Sequence, residues 1–229
     1  MRFGIVVFPG SNCEQDVAHA CRFLGYDYTY IWHQDTDLSG VDAVVLPGGF
    51  SYGDYLRCGA VARFSPVMGA VIEFAQAGRP VLGICNGFQI LTEAHLLPGA
   101  LLRNQGLKFI CREVPLRVES YCDWLGLETG SVIKLPINHN DGNFVCDEKT
   151  LAELHEDNRI VLRYCNEDGS DIAEAPNGAL DNIAGICNAE RNVFGLMPHP
   201  ERAVDSIYGS GDGQAFFTAV LAQMEEVGA

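Results

Sequence analysis

The pentapeptide Gly83-Ile84-Cys85-Asn86-Gly87 joins an apolar run, Pro80 to Cys85, to a stretch with helical patterning, Asn86 to about Leu97. It is the cysteine form of the G-x-S-x-G turn, in which a strand passes abruptly into a helix and throws the central side chain outward. Glycine on both sides lets neighbouring backbone approach with no Cβ in the way. A chain built around such a turn needs a buried strand before it and a helix after it. The sequence upstream repeats that alternation: Arg2 to Phe8, Tyr26 to Trp32 and Asp42 to Leu46 read as strands, and Asn12 to Leu24 and about Gly59 to Ala77 as helices. Val17, Cys21 and Leu24 give the first helix its apolar stripe, Pro66 starts or kinks the second, and Pro98-Gly99 stops the third. This order specifies an α/β fold, a flavodoxin-like open, mostly parallel sheet with helices on both faces.

After Leu101 the pattern changes. Val114 to Val118, Val132 to Ile137 and Ile160 to Tyr164 are strand-like runs separated by Gly, Asn and Asp, and Ile183 to Cys187 with Asn192 to Met197 reads as a hairpin around Glu190 and Arg191. These predict antiparallel hairpin additions to the sheet in the C-terminal half. Asp212 to Glu226 predicts a closing helix with Phe217, Val220, Leu221 and Met224 on one side. No linker or repeat divides residues 1–229, so a single domain is expected.

Composition narrows the function classes. With 30 Asp and Glu against 15 Lys and Arg the formal charge is -15, which argues against nucleic-acid binding, because that needs a basic surface. No apolar run approaches the roughly 18 to 20 residues of a membrane span, and no signal-peptide pattern follows the apolar start, so a cytoplasmic protein is expected. The nine cysteines contain no C-x-x-C pair. They read as reduced thiols, and no metal site is expected from their spacing.

Cys85 is the cysteine in a distinctive place. A strand-to-helix turn exposes it at the carboxyl edge of the sheet, beside the positive end of a helix dipole that favours thiolate. The backbone N–H of Asn86 can serve an oxyanion hole. By itself the string also fits a buried core cysteine. A thiol nucleophile needs a base and a group that orients the base. Among six histidines, His199 stands in Met197-Pro198-His199-Pro200-Glu201 after a predicted strand. In an extended segment Glu201 shares its side and can fix the imidazole tautomer; a rigid surface turn is the other reading. Pro47-Gly48-Gly49-Phe50, after the strand Asp42 to Leu46, can turn amides inward as further oxyanion donors, or can be a plain turn. It matches no phosphate-loop pattern.

With Pro47-Gly48-Gly49, Gly83-Ile84-Cys85-Asn86-Gly87-Phe88-Gln89 and Pro198-His199-Pro200-Glu201 in this order, the chain resembles the class I, or triad, glutamine amidotransferase family. Phe8 to Cys13, Gly49 to Arg57, Asn177-Gly178, Ile183 to Ile186 and Gly195 to Arg202 are similar to the members that serve as separate glutaminase subunits. The resemblance implies that Cys85, His199 and Glu201 are catalytic, that amides near Gly48, Gly49, Phe50 and Asn86 hold the oxyanion, and that Gln89 contacts glutamine. It further implies ammonia delivery to a large synthetase subunit that aminates formylglycinamide ribonucleotide, and a small third subunit. The chain itself carries no cofactor on this reading; Mg-ATP belongs to the synthetase. Asn138 to Gly142 departs from the family pattern, which usually has a small residue before the His and Gly-Glu-Gly after it. Two other classes compete: a cysteine hydrolase of the peptidase or deglycase type, which takes its His from immediately after the Cys, where Asn86 stands here, and a catalytically silent docking module.

Overall fold

The computed structural model describes the backbone of residues 1–207 and 209–227, with side chains as far as 220. The elements are β1 (Arg2–Val7), α1 (Glu14–Phe23), β2 (Asp27–Trp32), β3 (Ala43–Leu46), α2 (Pro66–Gln76), β4 (Val81–Ile84), α3 (Asn86–Glu93), β5 (Ala100–Leu102), β6 (Ile110–Val118), β7 (Val132–His139), β8 (Asn143–Val145), α4 (Glu148–Glu156), β9 (Ile160–Tyr164), β10 (Ile183–Cys187), β11 (Val193–Leu196) and α5 (Gln214–Val227). Nine strands form one sheet in the order β2-β1-β3-β4-β11-β10-β9-β6-β7. From β2 to β11 neighbours are parallel, and from β11 to β7 they are antiparallel. The α/β expectation therefore holds, and the hairpins of the C-terminal half extend the main sheet. β5 and β8 pair separately as a small two-stranded sheet.

Four of the parallel strands are buried along nearly their whole length, as expected where helices cover both faces. Successive residues of a strand point to opposite faces, and β11 displays both. Phe194 stacks on Phe216 of α5, 6.1 Å between ring centroids, whereas a Cβ at the next residue, Gly195, would lie 2.2 Å from the ring of Phe88 in α3. Thus α3 and α5 lie on opposite faces. Phe3, Trp124, Phe88, Phe144 and Phe217 are completely buried around them, each worth about 1.5 to 3 kcal/mol of transfer free energy. Of the apolar face expected on the last helix, Phe217 and Val220 are buried; the side chains of Leu221 and Met224 lie outside the described residues.

Some boundaries differ from the sequence reading. The expected helix from Gly59 to Ala77 divides: Ala62–Phe64 is a 3-10 turn, Ser65 is extended, and α2 begins with Pro66 at its first position, because the residue before proline avoids helical backbone. α3 stops at Glu93 rather than Leu97, with His95 at φ 58°. Among the described residues no helix is long and apolar enough to cross a membrane. The topology also fixes where chemistry can occur. β1, β3, β4 and β11 run parallel, so the segments following them, Phe8 to Cys13, Pro47 to Phe50, Cys85 and Met197 to Glu201, emerge at one carboxyl edge.

Candidate active site

Cys85 follows β4 with φ 52° and ψ -103°, backbone that a residue with a Cβ seldom adopts. Strain of that kind costs on the order of 1 to 3 kcal/mol and persists only where the surroundings enforce it. Two contacts do so. The Cys85 N–H donates to the Leu196 carbonyl at 2.8 Å, tying the turn to β11. Gly87 then lets α3 sit directly on the end of β3, where a Cβ would come within 1.9 Å of the Leu46 carbonyl oxygen.

His199 follows β11, and its N–H donates to the Pro136 carbonyl of β7 at 2.8 Å. The extended geometry expected for this segment is not what brings Glu201 to it. Pro200–Arg202 forms a 3-10 turn, whose curl carries the carboxylate back until Oε1 lies 2.6 Å from His199 Nδ1. Both side chains are 1% exposed. With Nδ1 occupied, a proton there donates to the carboxylate and leaves Nε2 with a lone pair. Nε2 has no hydrogen-bond partner among the described residues. Cys85 and His199 line the same cavity, together with Gly49, Phe50, Gln89, Asp141 and Cys13.

Electrostatics in this cavity differ from the sequence expectation. Burial, and then the nearby Cys13 and Glu201, push the Cys85 thiol well above its ordinary value, while a hydrogen bond from the Asn86 amide and the Arg202 guanidinium pull it down. The helix N-terminus works in the expected direction, but desolvation is larger, so the resting sulfur is a protonated thiol. A base is therefore needed, and His199 Nε2 is the unpartnered acceptor in its cavity.

The expected oxyanion donors separate. Phe50 is corrected: its N–H donates to the Gly10 carbonyl at 2.9 Å, so it contributes a half-exposed ring at the cavity wall rather than an amide. That bond, with those from Asn12 and Cys13 amides to the Gly48 carbonyl, zips the loop after β1 to the loop after β3. Gly49 adopts φ 149°, and its Cβ position would lie 2.7 Å from Ser11 Cα, so only glycine fits. Gly48 lies behind the wall, with its Cβ position 2.8 Å from His199 Cε1. The Asn86 amide opens α3, where no preceding turn can accept it.

Gln89 reaches the cavity one helical turn after Cys85. Its Oε1 accepts from Asn86 Nδ2 at 2.8 Å, and its Nε2 donates to the Asp141 carbonyl at 2.6 Å. Asp141 belongs to the strap of residues 138–142, pinned by a residue that sequence reasoning missed. Asn104, fully buried, accepts from the Gly142 amide at 3.0 Å, donates to the His139 carbonyl at 3.0 Å and sits 3.1 Å from His139 Nδ1. Asn177 donates to the Gly142 carbonyl at 2.8 Å. The cavity between these groups is about 40 Å³, room for a few waters.

Residues 1–216 match the CobB/CobQ-like glutamine amidotransferase domain. The chain is 57% identical over 224 residues to the phosphoribosylformylglycinamidine synthase subunit PurQ of Nostoc sp., covering 96% of this chain and 97% of that one. It is 55% identical to the protein of the same name from Rubrobacter xylanophilus, covering 97% and 98%. Among solved structures, a chain in the structure of PurLQS from Thermotoga maritima superposes with a TM-score of 0.86 at 42% identity, covering 97% of this chain and 98% of that one. A glutamine amidotransferase from Thermotoga maritima, at 17% identity and a TM-score of 0.56, covering 100% of this chain and 85% of that one, shares the fold.

Proposed function

The chain belongs to the CobB/CobQ-like glutamine amidotransferase domain family, and from that premise we propose that it is the glutaminase subunit of a phosphoribosylformylglycinamidine synthase, the name its relatives at 57% and 55% identity bear. Cys85 Sγ attacks the side-chain amide carbon of glutamine as His199 Nε2 takes the thiol proton. The same nitrogen returns that proton to the departing ammonia, leaving a glutamyl thioester. Water, deprotonated by His199, then releases glutamate. Glu201 holds the imidazole in the tautomer that keeps Nε2 basic and offsets the charge of the imidazolium. Gly49 and Asn86 supply amides to the oxyanion, and Gln89 with the strap of residues 138–142 grips the amino-acid end.

The observation that carries this reading is the buried imidazole held by Glu201 on one nitrogen and unpartnered on the other, in one cavity with a cysteine on strained backbone. Ammonia passes to a large synthetase subunit that uses Mg-ATP on formylglycinamide ribonucleotide in purine biosynthesis, and a small third subunit completes the assembly, in keeping with the PurLQS relative. No cofactor resides in this chain on this reading. Nine free thiols suit a reducing cytoplasm. Cys85→Ala in the reconstituted complex should abolish glutamine-dependent synthesis and leave ammonia-dependent synthesis intact. Glutamine-dependent turnover that survives the substitution would refute the mechanism.

A further inference from the structure

Two carboxylates, Asp54 and Asp141, line the cavity that holds Cys85, and they are not equivalent. Asp141 Oδ1 lies 3.9 Å from Arg103 Nε, and its Oδ2 accepts from Asn140 Nδ2 at 2.9 Å. Asp54 has no cation within ion-pair distance among the described residues. Its neighbours are neutral: Asn86 Nδ2 donates to Oδ1 at 3.5 Å, and the Cys58 thiol hydrogen-bonds to the carboxylate. The half-buried side chain comes from a loop in which Tyr52, Gly53, Asp54 and Leu56 have φ of 55°, 72°, 54° and 69°. Aspartate tolerates such backbone, but asparagine tolerates it equally, so the conformation leaves the charge unexplained. We propose, on the strength of the glutaminase reading, that Asp54 recognises the α-ammonium of glutamine and so selects an α-amino acid over amides that lack the amino group.

A carboxylate withdrawn from water without a counter-ion is costly. Burial raises the Asp54 carboxyl above its ordinary value, a hydrogen bond from Cys58 opposing the rise and Asp141 adding to it, and an arriving ammonium offsets both penalties. Placement agrees. Asp54 Oδ1 and Gln89 Oε1 approach the same nitrogen, Asn86 Nδ2, at 3.5 and 2.8 Å, in the residue directly after Cys85. Glutamine carries its ammonium four bonds from the amide carbon, about 5 Å in an extended chain, so both ends of the substrate fall within one small site. His199 Nε2 lines the same cavity unpartnered, its residue 1% exposed, which sets these carboxylates apart from a solvated acidic patch. Charge also orients the ligand: Asp54 and Asp141 repel the α-carboxylate, which therefore faces away from them.

Two electrophiles test this in the reconstituted complex, with mass spectrometry reading the Cys85 adduct: 6-diazo-5-oxonorleucine, which carries the α-ammonium, and iodoacetamide, which does not. Asp54→Asn keeps the shape and the tolerance of positive φ and removes only the charge. It should slow labelling of Cys85 by the diazo compound about 10- to 100-fold, the scale of losing one charge-assisted hydrogen bond, and leave the iodoacetamide rate as it was. The KM for glutamine should rise by the same factor, with ammonia-dependent synthesis unchanged. If the diazo compound leaves Cys85 of the native complex unlabelled, the glutaminase reading itself fails. If it labels native and Asp54→Asn proteins at one rate, or if the variant loses reactivity toward both reagents alike, the role given to Asp54 is overturned and the glutaminase reading stands. Should Asp54→Asn fail to fold, Asp54→Gly, which accepts φ 54° more readily still, is judged by the same pair of rates.

Discussion

Glu201 holds Nδ1 of His199, and a single-atom change isolates the orienting role proposed for it. Glu201→Gln keeps the shape but can present an N–H where the carboxylate accepted, which favours the wrong tautomer and removes the charge opposite the imidazolium. Glutamine-dependent turnover should fall by about 10²- to 10⁴-fold, the scale on which an orienting carboxylate matters in hydrolase triads, with ammonia-dependent synthesis by the complex unchanged. Equal loss of both activities would mean that the residue serves folding or assembly. The three residues of the proposed triad are legible from short-range rules: a glycine-flanked turn places Cys85, and two prolines restrict the backbone around His199. The route by which Glu201 arrives is not, since the 3-10 curl of Pro200–Arg202 depends on contacts outside the motif, including the bond from the His199 amide to Pro136. Nor is the commitment of the Phe50 amide to Gly10, because a glycine pair announces a turn without naming the partner of each N–H. The protonated state of Cys85 is hidden for a similar reason. A helix start can be read locally, whereas the burial that overrides it is a property of the packed cavity.

Among the elements, α3 and α4 contrast how an element can matter. α3 is buried along its whole length and aims Cys85. Gly87→Ala would place a methyl group 1.9 Å from the Leu46 carbonyl, backbone that has little room to retreat, so α3 should shift at a cost of about 1 to 3 kcal/mol, and glutaminase activity should drop with it. α4 buries only Leu154 and is capped by Asp147, whose Oδ1 accepts from the Thr150 amide at 2.7 Å. Asp147→Ala should cost about 1 kcal/mol and leave glutamine turnover as it was. Thermal melts and kinetics on the two variants check both; a Gly87→Ala protein with unaltered turnover would show that the turn tolerates a displaced helix. The same contrast explains what can be read in advance. Strands buried on both faces carry short apolar runs interrupted at most by glycine, which locate them within a residue or two. α4, with its single buried side chain, has no apolar stripe to notice, and three-residue β5 and β8 are too short to stand out from loop sequence.

For the whole molecule, the sheet joins two blocks with different duties. Parallel strands deliver Cys85, His199 and Glu201 to one edge, and the antiparallel block brings β7 alongside, so that its last residues, Asn138 and His139, start the strap over the cavity. This union has a pH signature. His139 is 3% exposed, and burial, with His199 nearby as the second cause, depresses its pKa from 6.5 to about 3. Above pH 6.5 the imidazole is neutral in both folded and unfolded chains and the residue makes no difference. Below that value the unfolded chain takes up a proton that the folded one refuses until about pH 3, so stability is lost as the pH falls through this window. At about 1.4 kcal/mol per unit, the loss reaches about 2 kcal/mol by pH 5. Other groups also titrate there, and relief of repulsion in a chain of formal charge -15 acts in the opposite direction, so the difference between two proteins is the informative quantity. Urea midpoints measured at pH 7 and pH 5 for the native chain and for His139→Gln should diverge, the variant losing less stability on acidification. Parallel shifts in the two proteins would mean that the strap accepts a charged imidazole by rearranging, and that the antiparallel block is not locked onto the cavity in the way its hydrogen bonds to Asn104 and Asn177 imply.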